Sequence, residues 1–262
     1  MKKSFVRFAA LVVAVLFAVW GGGCVTTTAP VPAPEIQTLR VGFSPNYPPI
    51  CMESEGEPRG LESDFAEAFA KELGCGVEIV QMGFDELIPA LLDGRVDILM
   101  SGLTITPQRA YKIRFCKSYL NNPLVAVTRD GWARSYASAS QILSVNASIG
   151  VLRHTYGETF VRKHCLRARV VPIVEYDNVP QDLESNRYSI YVDDLAAILY
   201  LSAKHPGVLE VIPYPLQQQE IAWAVHPDNT SLLSAANAIL DKWKANGKLD
   251  ELLDKWLPDR FR

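Results

Sequence analysis

The chain has 262 residues, with 26 basic and 29 acidic side chains that give a formal charge of −3, and 48% of its residues are apolar. This composition is too apolar and too weakly charged for a disordered chain, and the lack of a basic excess argues against nucleic-acid binding. The length allows one large domain or two of ordinary size.

The N-terminal residues have the pattern of an export signal. An unbroken apolar run covers residues 8–20, and three basic residues precede it: Lys2, Lys3 and Arg7. The run is shorter than the roughly 20 residues of a spanning helix, as is typical of a signal peptide. Residues 21–24 read GGGC and resemble the lipobox of bacterial lipoproteins, although glycine stands three positions before the cysteine where leucine is usual. The resemblance implies that a signal peptide over 1–23 is removed and that Cys24 becomes a lipidated, palmitate-type N-terminus. The alternative is ordinary secretion with Cys24 unmodified.

The next segment and the remaining cysteines fit an exported protein. Residues 24–36 are mostly small, Thr- and Pro-rich, and predict an extended tether. An oxidising compartment allows up to two disulfides, and the sequence leaves their pairing open. The four cysteines concerned are Cys51, Cys75, Cys116 and Cys165. The scattered Cys and His residues predict no metal site, and the absence of a phosphate-binding glycine loop predicts no cofactor.

Strands and helices alternate through the rest of the chain. The first series predicts strands at 39–43, 77–80 and 96–100 and helices at 62–73, 85–92 and from Pro107, with Thr106 as the N-cap. The second series predicts strands at 123–127, 148–152, 170–176, 190–192 and 221–225. Helices are predicted near 156–165, 178–186, 194–203, 230–245 and 248–257. This alternation indicates an α/β fold with largely parallel sheets.

Two separate series indicate two lobes joined by two crossing strands. The predicted division assigns 37–123 to lobe 1, 124–219 to lobe 2 and 220–262 to lobe 1 again. A cleft between lobes is where small ligands usually bind.

Several motifs follow one another in a fixed order along the chain. Residues 60–65 read GLESDF, 87–91 LIPAL with 94–98 GRVDI, and 100–109 MSGLTITPQR. Residues 115–119 read FCKSY, and NGK and DKWL follow at 246–248 and 254–257. In order and spacing these motifs resemble the extracellular solute-binding proteins of family 3, which serve ABC transporters for amino acids, and the resemblance covers about residues 41–257. It implies the two-lobed, type II periplasmic-binding-protein fold and an amino acid held between the lobes.

The first lobe is expected to hold the carboxylate of the amino acid. Arg109 lies on a helix that begins at Pro107, and a guanidinium there can grip a carboxylate through two parallel hydrogen bonds. The resemblance assigns Ser101, Gly102 and Thr104 to the same site.

The second lobe is expected to close over the ligand. Thr155 precedes a predicted helix, whose free N–H groups attract anions. The family carries G-T-T where this chain has His154, Thr155 and Tyr156, so the local backbone geometry is in question, and Arg153 would add a cation. Asp193 follows a strand in VDDLAA, which resembles the family's x-D-E-x-A-A, and the resemblance pairs it with the α-ammonium.

The resemblance also implies which groups surround the ligand side chain. Tyr47 and Phe84 take the positions of flanking aromatic rings, with core packing as the alternative for Phe84. Ser44 stands where binders of basic amino acids often carry aspartate, which favours a polar or neutral amino acid. The sequence does not identify which one.

Together these patterns predict a monomeric, lipid-anchored binding protein of the cell envelope that delivers an amino acid to an ABC permease and performs no catalysis. One alternative is a cyclohexadienyl (prephenate) dehydratase on the same scaffold, with Glu158 or Asp194 as the acid. The other is a sensory ligand-binding module, which the lack of an appended kinase, channel or lytic domain disfavours.

Overall fold

The computed structural model describes residues 36–258, in which strands and helices alternate along the chain. The strands are β1 (Thr38–Phe43), β2 (Met52–Ser54), β3 (Glu57–Arg59), β4 (Gly76–Gln81), β5 (Ile98–Leu99), β6 (Arg114–Phe115), β7 (Leu120–Asn121), β8 (Leu124–Arg129), β9 (Ser148–Leu152), β10 (Arg169–Ile173), β11 (Ile190–Asp194), β12 (Leu209–Gln217), β13 (Glu220–Ile221) and β14 (Ala224–Val225). The helices are α1 (Leu61–Leu73), α2 (Leu87–Leu92), α3 (Pro107–Ala110), α4 (Ala139–Leu143), α5 (Tyr156–His164), α6 (Val179–Glu184), α7 (Leu195–Lys204), α8 (Thr230–Asn246) and α9 (Lys248–Trp256). Short 3-10 helices lie at Phe84–Glu86, Ala133–Ser135 and Tyr176–Asn178.

Two five-stranded sheets define two lobes. The first lobe contains the sheet ordered β4-β1-β5-β14-β6, the hairpin β2–β3 and helices α1–α3, α8 and α9. The second lobe contains the sheet ordered β10-β9-β11-β8-β12 and helices α4–α7. Three neighbouring strands of each sheet run parallel, so their carboxyl ends meet at one edge, where ligand-binding loops emerge.

The chain passes between the lobes twice, and the two passages lie side by side. We name residues 120–123 and 218–221 the crossing segments. Within them β7 and β13 pair antiparallel, and the amide of Asn122 donates to the carbonyl of Gln219 at 3.1 Å. These two paired extended segments connect the lobes, and together they are called the hinge.

Helix α1 illustrates why the strongest sequence patterns give the predicted elements. Phe65 and Phe69 are one helical turn apart and completely buried in the core of the first lobe. Gly74 ends the helix in the left-handed conformation, and its amide donates to the carbonyl of Lys71. The predicted helices α5, α7, α8 and α9 are also confirmed to within a residue or two at each end.

The prediction of largely parallel sheets was wrong for the strands next to the crossing segments. β8 runs antiparallel to both β11 and β12, and β14 runs antiparallel to β5 and β6. Each of these strands enters its sheet from the opposite lobe. The predicted single strand at 221–225 is therefore two short strands, β13 in the crossing pair and β14 in the first sheet.

No strand was predicted over the residues that form β12. Pro213 and Pro215 within it lack the N–H that an internal strand needs. β12 is the edge strand of the second sheet, where a proline can face outward, and its pairing with β8 shifts register between Ile212 and Gln217.

The described residues add two findings on the sequence predictions. Cys51, Cys75, Cys116 and Cys165 are all free, so the possible disulfides do not form among them. Among residues 36–258, no helix combines the length and apolar character that crossing a lipid bilayer requires. Residues 1–35, with the predicted signal peptide, Cys24 and most of the tether, lie outside the described part of the chain, as do residues 259–262.

Candidate functional site

A cavity of about 680 Å³ lies between the two lobes and collects nearly all of the predicted ligand-binding residues. Its volume lies in the range that holds small-molecule ligands. Those that line it are Ser44, Tyr47, Phe84, Gly102, Thr104, Arg109, Arg153, Thr155, Tyr156 and Asp193. Ser101 lies behind the lining, where its Oγ accepts a hydrogen bond from the amide of Ser44 at 2.9 Å.

Arg109 is held in place by the start of α3. Thr106 is the N-cap, as predicted, and its Oγ1 accepts from the amide of Arg109 at 3.2 Å. The guanidinium donates from Nη1 to the carbonyl of Thr104 at 2.9 Å and lies 5.3 Å from the ring centre of Phe84. Burial lowers the pKa of Arg109, which ordinarily lies so high that the group remains charged. A fixed guanidinium with one nitrogen engaged leaves its other donors for an anion.

Residues 101–104, named here the first-lobe loop, follow β5 and are tightly buried. Gly102 has a φ of 60°, and a Cβ placed there would come within 2.4 Å of the Tyr47 ring. Glycine is therefore required both by the left-handed backbone and by the lack of space. The backbone of the loop also pairs with a crossing segment, through an antiparallel bridge between Thr104 and Ile221, and the amide of Ala222, the next residue, donates to the carbonyl of Leu103 at 3.1 Å.

Residues 153–156, named here the second-lobe turn, take the shape that a glycine would favour although they contain none. His154 has a φ of 63°, so it occupies the left-handed region at the position where the family resemblance has glycine. Glu158 stabilises the turn, because its Oε2 accepts from the amide of His154 at 2.8 Å. Thr155 caps α5, accepting from the amide of Glu158 at 3.3 Å and donating to the carbonyl of Leu152 at 2.7 Å.

Two adjacent carboxylates end β11 and face the cavity. The Oδ2 of Asp193 accepts from the Tyr191 hydroxyl at 2.5 Å, and its Oδ1 accepts from the amide of Asp194 at 2.9 Å. Asp194, and not Asp193, takes the N-cap position of α7, without a side-chain capping bond. Burial raises the pKa of both groups, and the charge of Asp193 raises that of Asp194 further.

Asp194 of the second lobe is hydrogen-bonded to a side chain of the first lobe and to a side chain of a crossing segment. It accepts hydrogen bonds from the Tyr47 hydroxyl of the first lobe and from the side-chain amide of Gln219 in a crossing segment. Asn122, in the other crossing segment, donates to the Tyr47 hydroxyl at 2.8 Å and accepts from the amide of Ala196 at 3.0 Å. The hydroxyl of Tyr47 is thus tied to the hinge.

The sequence reasoning missed several residues of this region. Asp194 appeared only as a catalytic alternative, although its place at the end of a strand was a usable signal. Gln81 ends β4 and lines the cavity, and the rule that sites lie at carboxyl ends of parallel strands would have found it. Asn122 and Gln219 carry no local sequence signal, and Glu62, although it lies in the GLESDF motif at 60–65, was assigned no role.

The arrangement can hold a small zwitterion. A guanidinium on the first lobe and a carboxylate on the second lobe face one cavity, together with the N-terminus of α5. Among the described residues, no cluster of His, Cys, Asp and Glu side chains is suited to hold a metal ion.

The chain belongs to the bacterial extracellular solute-binding proteins, family 3, whose sequence pattern matches residues 39–259. It is 27% identical over 225 residues to the putative ABC transporter arginine-binding protein 2 of Escherichia coli (strain K12), with 84% of this chain and 90% of that protein covered. It is 27% identical over 223 residues to the L-cystine-binding protein TcyJ of the same strain, covering 84% of this chain and 82% of that protein.

A solved structure gives the same picture. The ancestral amino acid-binding protein AncCDT-1, described as a precursor of cyclohexadienyl dehydratase, superimposes with a TM-score of 0.78 at 30% identity, covering 85% of this chain and 96% of that one. The predicted family and the two-lobed, type II periplasmic-binding-protein fold are thus confirmed.

Proposed function

We propose that the protein is the amino-acid-binding component of an ABC transporter and delivers its ligand to the membrane permease of that transporter. One observation carries the proposal: Arg109 of the first lobe and Asp193 of the second lobe line the same cavity. The E. coli relatives, which are named for binding arginine and cystine, support the ligand class.

In the proposed complex the first lobe captures the α-carboxylate. Arg109 donates to it, and the first-lobe loop supplies backbone and hydroxyl groups at Gly102 and Thr104. Closure then brings Thr155 and the N-terminus of α5 to the carboxylate and Asp193 to the α-ammonium. Each hydrogen bond to a charged group contributes about 1.5–3 kcal/mol, so closure is favoured when the ligand is present.

The charges of the cavity favour a cationic ligand side chain over the neutral one expected from Ser44. The lining has four acidic residues, Glu53, Asp85, Asp193 and Asp194, against the two guanidinium groups of Arg109 and Arg153. Once the α-groups are paired with Arg109 and Asp193, Glu53 and Asp85 outnumber Arg153, so the remaining lining is acidic even when Asp194, whose pKa is raised, is protonated. A ligand side chain with an ammonium or guanidinium group balances that charge, as electrostatic complementarity requires.

Calorimetry on the purified full chain, extracted in detergent, tests the function. The panel contains the common L-amino acids, and L-arginine and L-lysine are expected to bind more tightly than L-glutamine. The variants Asp85→Asn and Glu53→Gln should weaken L-arginine more than L-glutamine. A folded chain that binds no amino acid would refute the proposed function, whereas tight binding of neutral amino acids alone would refute only the cationic side chain.

We extend the proposal to the anchor and the partner. Lipid on Cys24 would hold the protein at the cell envelope beside its permease, and the protein would act as a monomer. Mass spectrometry of the N-terminal peptide from membranes is expected to find acyl chains on Cys24, and Cys24→Ser should release the protein from the membrane fraction. An unmodified Cys24 would leave ordinary export.

A dehydratase is the second candidate, because Asp194 is a buried carboxyl group with a raised pKa inside the cavity. As a general acid it would protonate the hydroxyl group that leaves prephenate as water while carbon dioxide is lost. Glu158 is unsuited, since hydrogen bonds from His154 and Arg162 help to lower its pKa. Both oxygens of Asp194 accept hydrogen bonds, which favours binding over catalysis. Formation of phenylpyruvate from prephenate by the wild-type chain, and its loss in Asp194→Asn, would establish the enzyme instead.

A further inference from the structure

The carboxylate of Glu62 is completely buried behind the cavity, in the first turn of α1. It does not line the cavity and so has no direct contact with a ligand there. A buried carboxylate requires strong hydrogen bonds to offset its lost hydration. The position of Glu62 in the core is therefore explained only if its hydrogen bonds offset the cost of burial.

Three donors surround this carboxylate. Its Oε1 accepts from the amide of Gly102 at 2.8 Å and from the hydroxyl of Tyr119 at 2.6 Å. Its Oε2 accepts from the indole Nε1 of Trp223 at 2.8 Å. Each oxygen thus meets an N–H group that can only donate.

The three donors come from the first-lobe loop and from the chain on either side of the crossing segments. Gly102 lies in the first-lobe loop and lines the cavity. Tyr119 immediately precedes one crossing segment, and Trp223 follows the other by two residues. One carboxylate is therefore hydrogen-bonded to the ligand-facing loop and to the two chain segments that lead into the hinge.

We propose that Glu62 is a positioning residue that fixes Gly102 toward the ligand and couples this loop to both crossing segments. The inference rests on the proposed function, because it assigns a role in ligand affinity to a residue that the ligand does not touch. A glutamine of the same size cannot replace it, since its NH₂ group would face either the Gly102 amide or the Trp223 indole. An aspartate keeps the charge but is shorter by one methylene.

The same geometry makes the network sensitive to pH near neutrality. Burial raises the pKa of Glu62 to about 7, although the bonds from Tyr119, Gly102 and Trp223 oppose the shift. The titratable groups that face it are the hydroxyl of Tyr119 and the thiols of Cys51 and Cys116, and burial raises the pKa of each. None of these three groups loses its proton near pH 7. Asp194, which acts on Tyr119, has a pKa raised to about 8, so the change that belongs to Glu62 is the one that disappears in Glu62→Gln.

Nuclear magnetic resonance of the ligand-free full chain tests the network without any ligand. The Gly102 amide and Trp223 indole proton resonances are expected to shift together as pH passes through about 7. Neither should titrate there in Glu62→Gln. The indole of Trp243 donates to Glu72, which lies on α1 as Glu62 does, and serves as the internal reference. Its proton resonance should not shift with those of Gly102 and Trp223.

Calorimetry with L-arginine, or with the tightest binder of the panel, tests the consequence. Loss of one hydrogen bond to a charged group should weaken binding about tenfold in Glu62→Gln. Glu62→Asp should restore part of the affinity. Glu72→Gln, the same substitution at another glutamate of α1 that accepts from an indole but lies away from the cavity, should bind as wild type. Affinity should rise with pH through about 7 in the wild type by more than in Glu62→Gln.

Two results would overturn the inference: wild-type affinity and pH profile in Glu62→Gln, or resonances of Gly102 and Trp223 that do not titrate together. If Glu62→Gln does not fold, Tyr119→Phe removes one donor and should raise the midpoint of the shared titration, because the ionised carboxylate then loses a hydrogen bond that lowers the pKa of Glu62. A chain that binds no amino acid refutes the proposed function, while the resonance titration still decides the role of Glu62.

Discussion

The two lobes present their ligand-facing residues in different ways. The first-lobe loop is buried, its glycine is fixed against Tyr47, and it is hydrogen-bonded to α1 and to a crossing segment. In the second-lobe turn Arg153 and His154 are exposed, while Thr155 and Tyr156 are half-buried. The turn is held mainly by local bonds to Glu158 and Leu152.

The difference indicates that the first lobe is the preorganised half of the site. Ligand groups that meet the first-lobe loop would find polar groups already held in place, which reduces the free-energy cost of binding. The second-lobe turn is open to solvent and would become fully buried only around a ligand. Substitutions on the first lobe should therefore weaken binding more than substitutions on the second-lobe turn.

Arg109→Lys should have the largest effect. Lysine keeps the charge but cannot donate to a carboxylate through two parallel hydrogen bonds. Loss of one or two such bonds should weaken L-arginine binding by about tenfold to a few hundredfold in calorimetry. The matched control is Arg114→Lys on β6, an exposed arginine away from the cavity, which should bind as wild type. Equal affinities for the two variants would show that Arg109 does not bind the ligand.

Gly102→Ala should have the next largest effect on L-arginine binding. The added Cβ meets the Tyr47 ring at 2.4 Å and also imposes the left-handed penalty of about 1–2 kcal/mol. Gly94→Ala is the control, because Gly94 has a φ of 69° and a Cβ there meets nothing within 4 Å. We expect both variants to lose thermal stability and only Gly102→Ala to lose affinity. Similar affinity losses in both would mean that backbone strain, not contact with Tyr47, explains the requirement.

Asp194→Asn should change the pH dependence of stability by a moderate amount. A carboxyl group with a raised pKa in the folded state stabilises the fold below its unfolded pKa, near about 4, and this contribution is lost as pH rises through the folded pKa. Urea unfolding of the ligand-free chain should therefore show a smaller stability loss toward alkaline pH in the variant. Asp182→Asn, at an ion pair with Arg187 away from the cavity, is the control. If the pH dependence of stability in Asp194→Asn equals that of the wild type, the pKa of Asp194 is not raised in the folded chain.

His154→Gly should have the smallest effect and tests the second-lobe turn. Glycine removes the left-handed strain but adds backbone freedom to the unfolded chain, so stability should change by less than about 1 kcal/mol. L-arginine affinity should stay within about threefold of wild type, because the turn already has its glycine-like shape. Asn186→Gly, at a φ of 57° in the second lobe, is the control. A large gain in affinity would show that His154 holds the turn away from the ligand.

Local patterns predicted the parts of the site that depend on neighbours in sequence. Thr106 and Pro107 are adjacent, and a cap followed by proline begins a helix wherever the helix packs, so the position of Arg109 followed. Asp193 was assigned through the resemblance of VDDLAA to the family's x-D-E-x-A-A pattern, which is also a local pattern. The backbone of the second-lobe turn was left open, since a histidine in a left-handed conformation depends on Glu158 accepting its amide.

The amino-acid sequence by itself determined the alternating elements, the two-lobed family fold and the residue types of the site, because hydrophobic periodicity, caps and ordered motifs act over short distances. Only the tertiary structure decided the antiparallel strands, the edge strand with two prolines, and the carboxylate of Glu62 between donors 40, 57 and 161 residues away. Such contacts depend on how chain segments far apart in sequence meet. Their favourable hydrogen bonds exist only after the hydrophobic cores have brought those segments together.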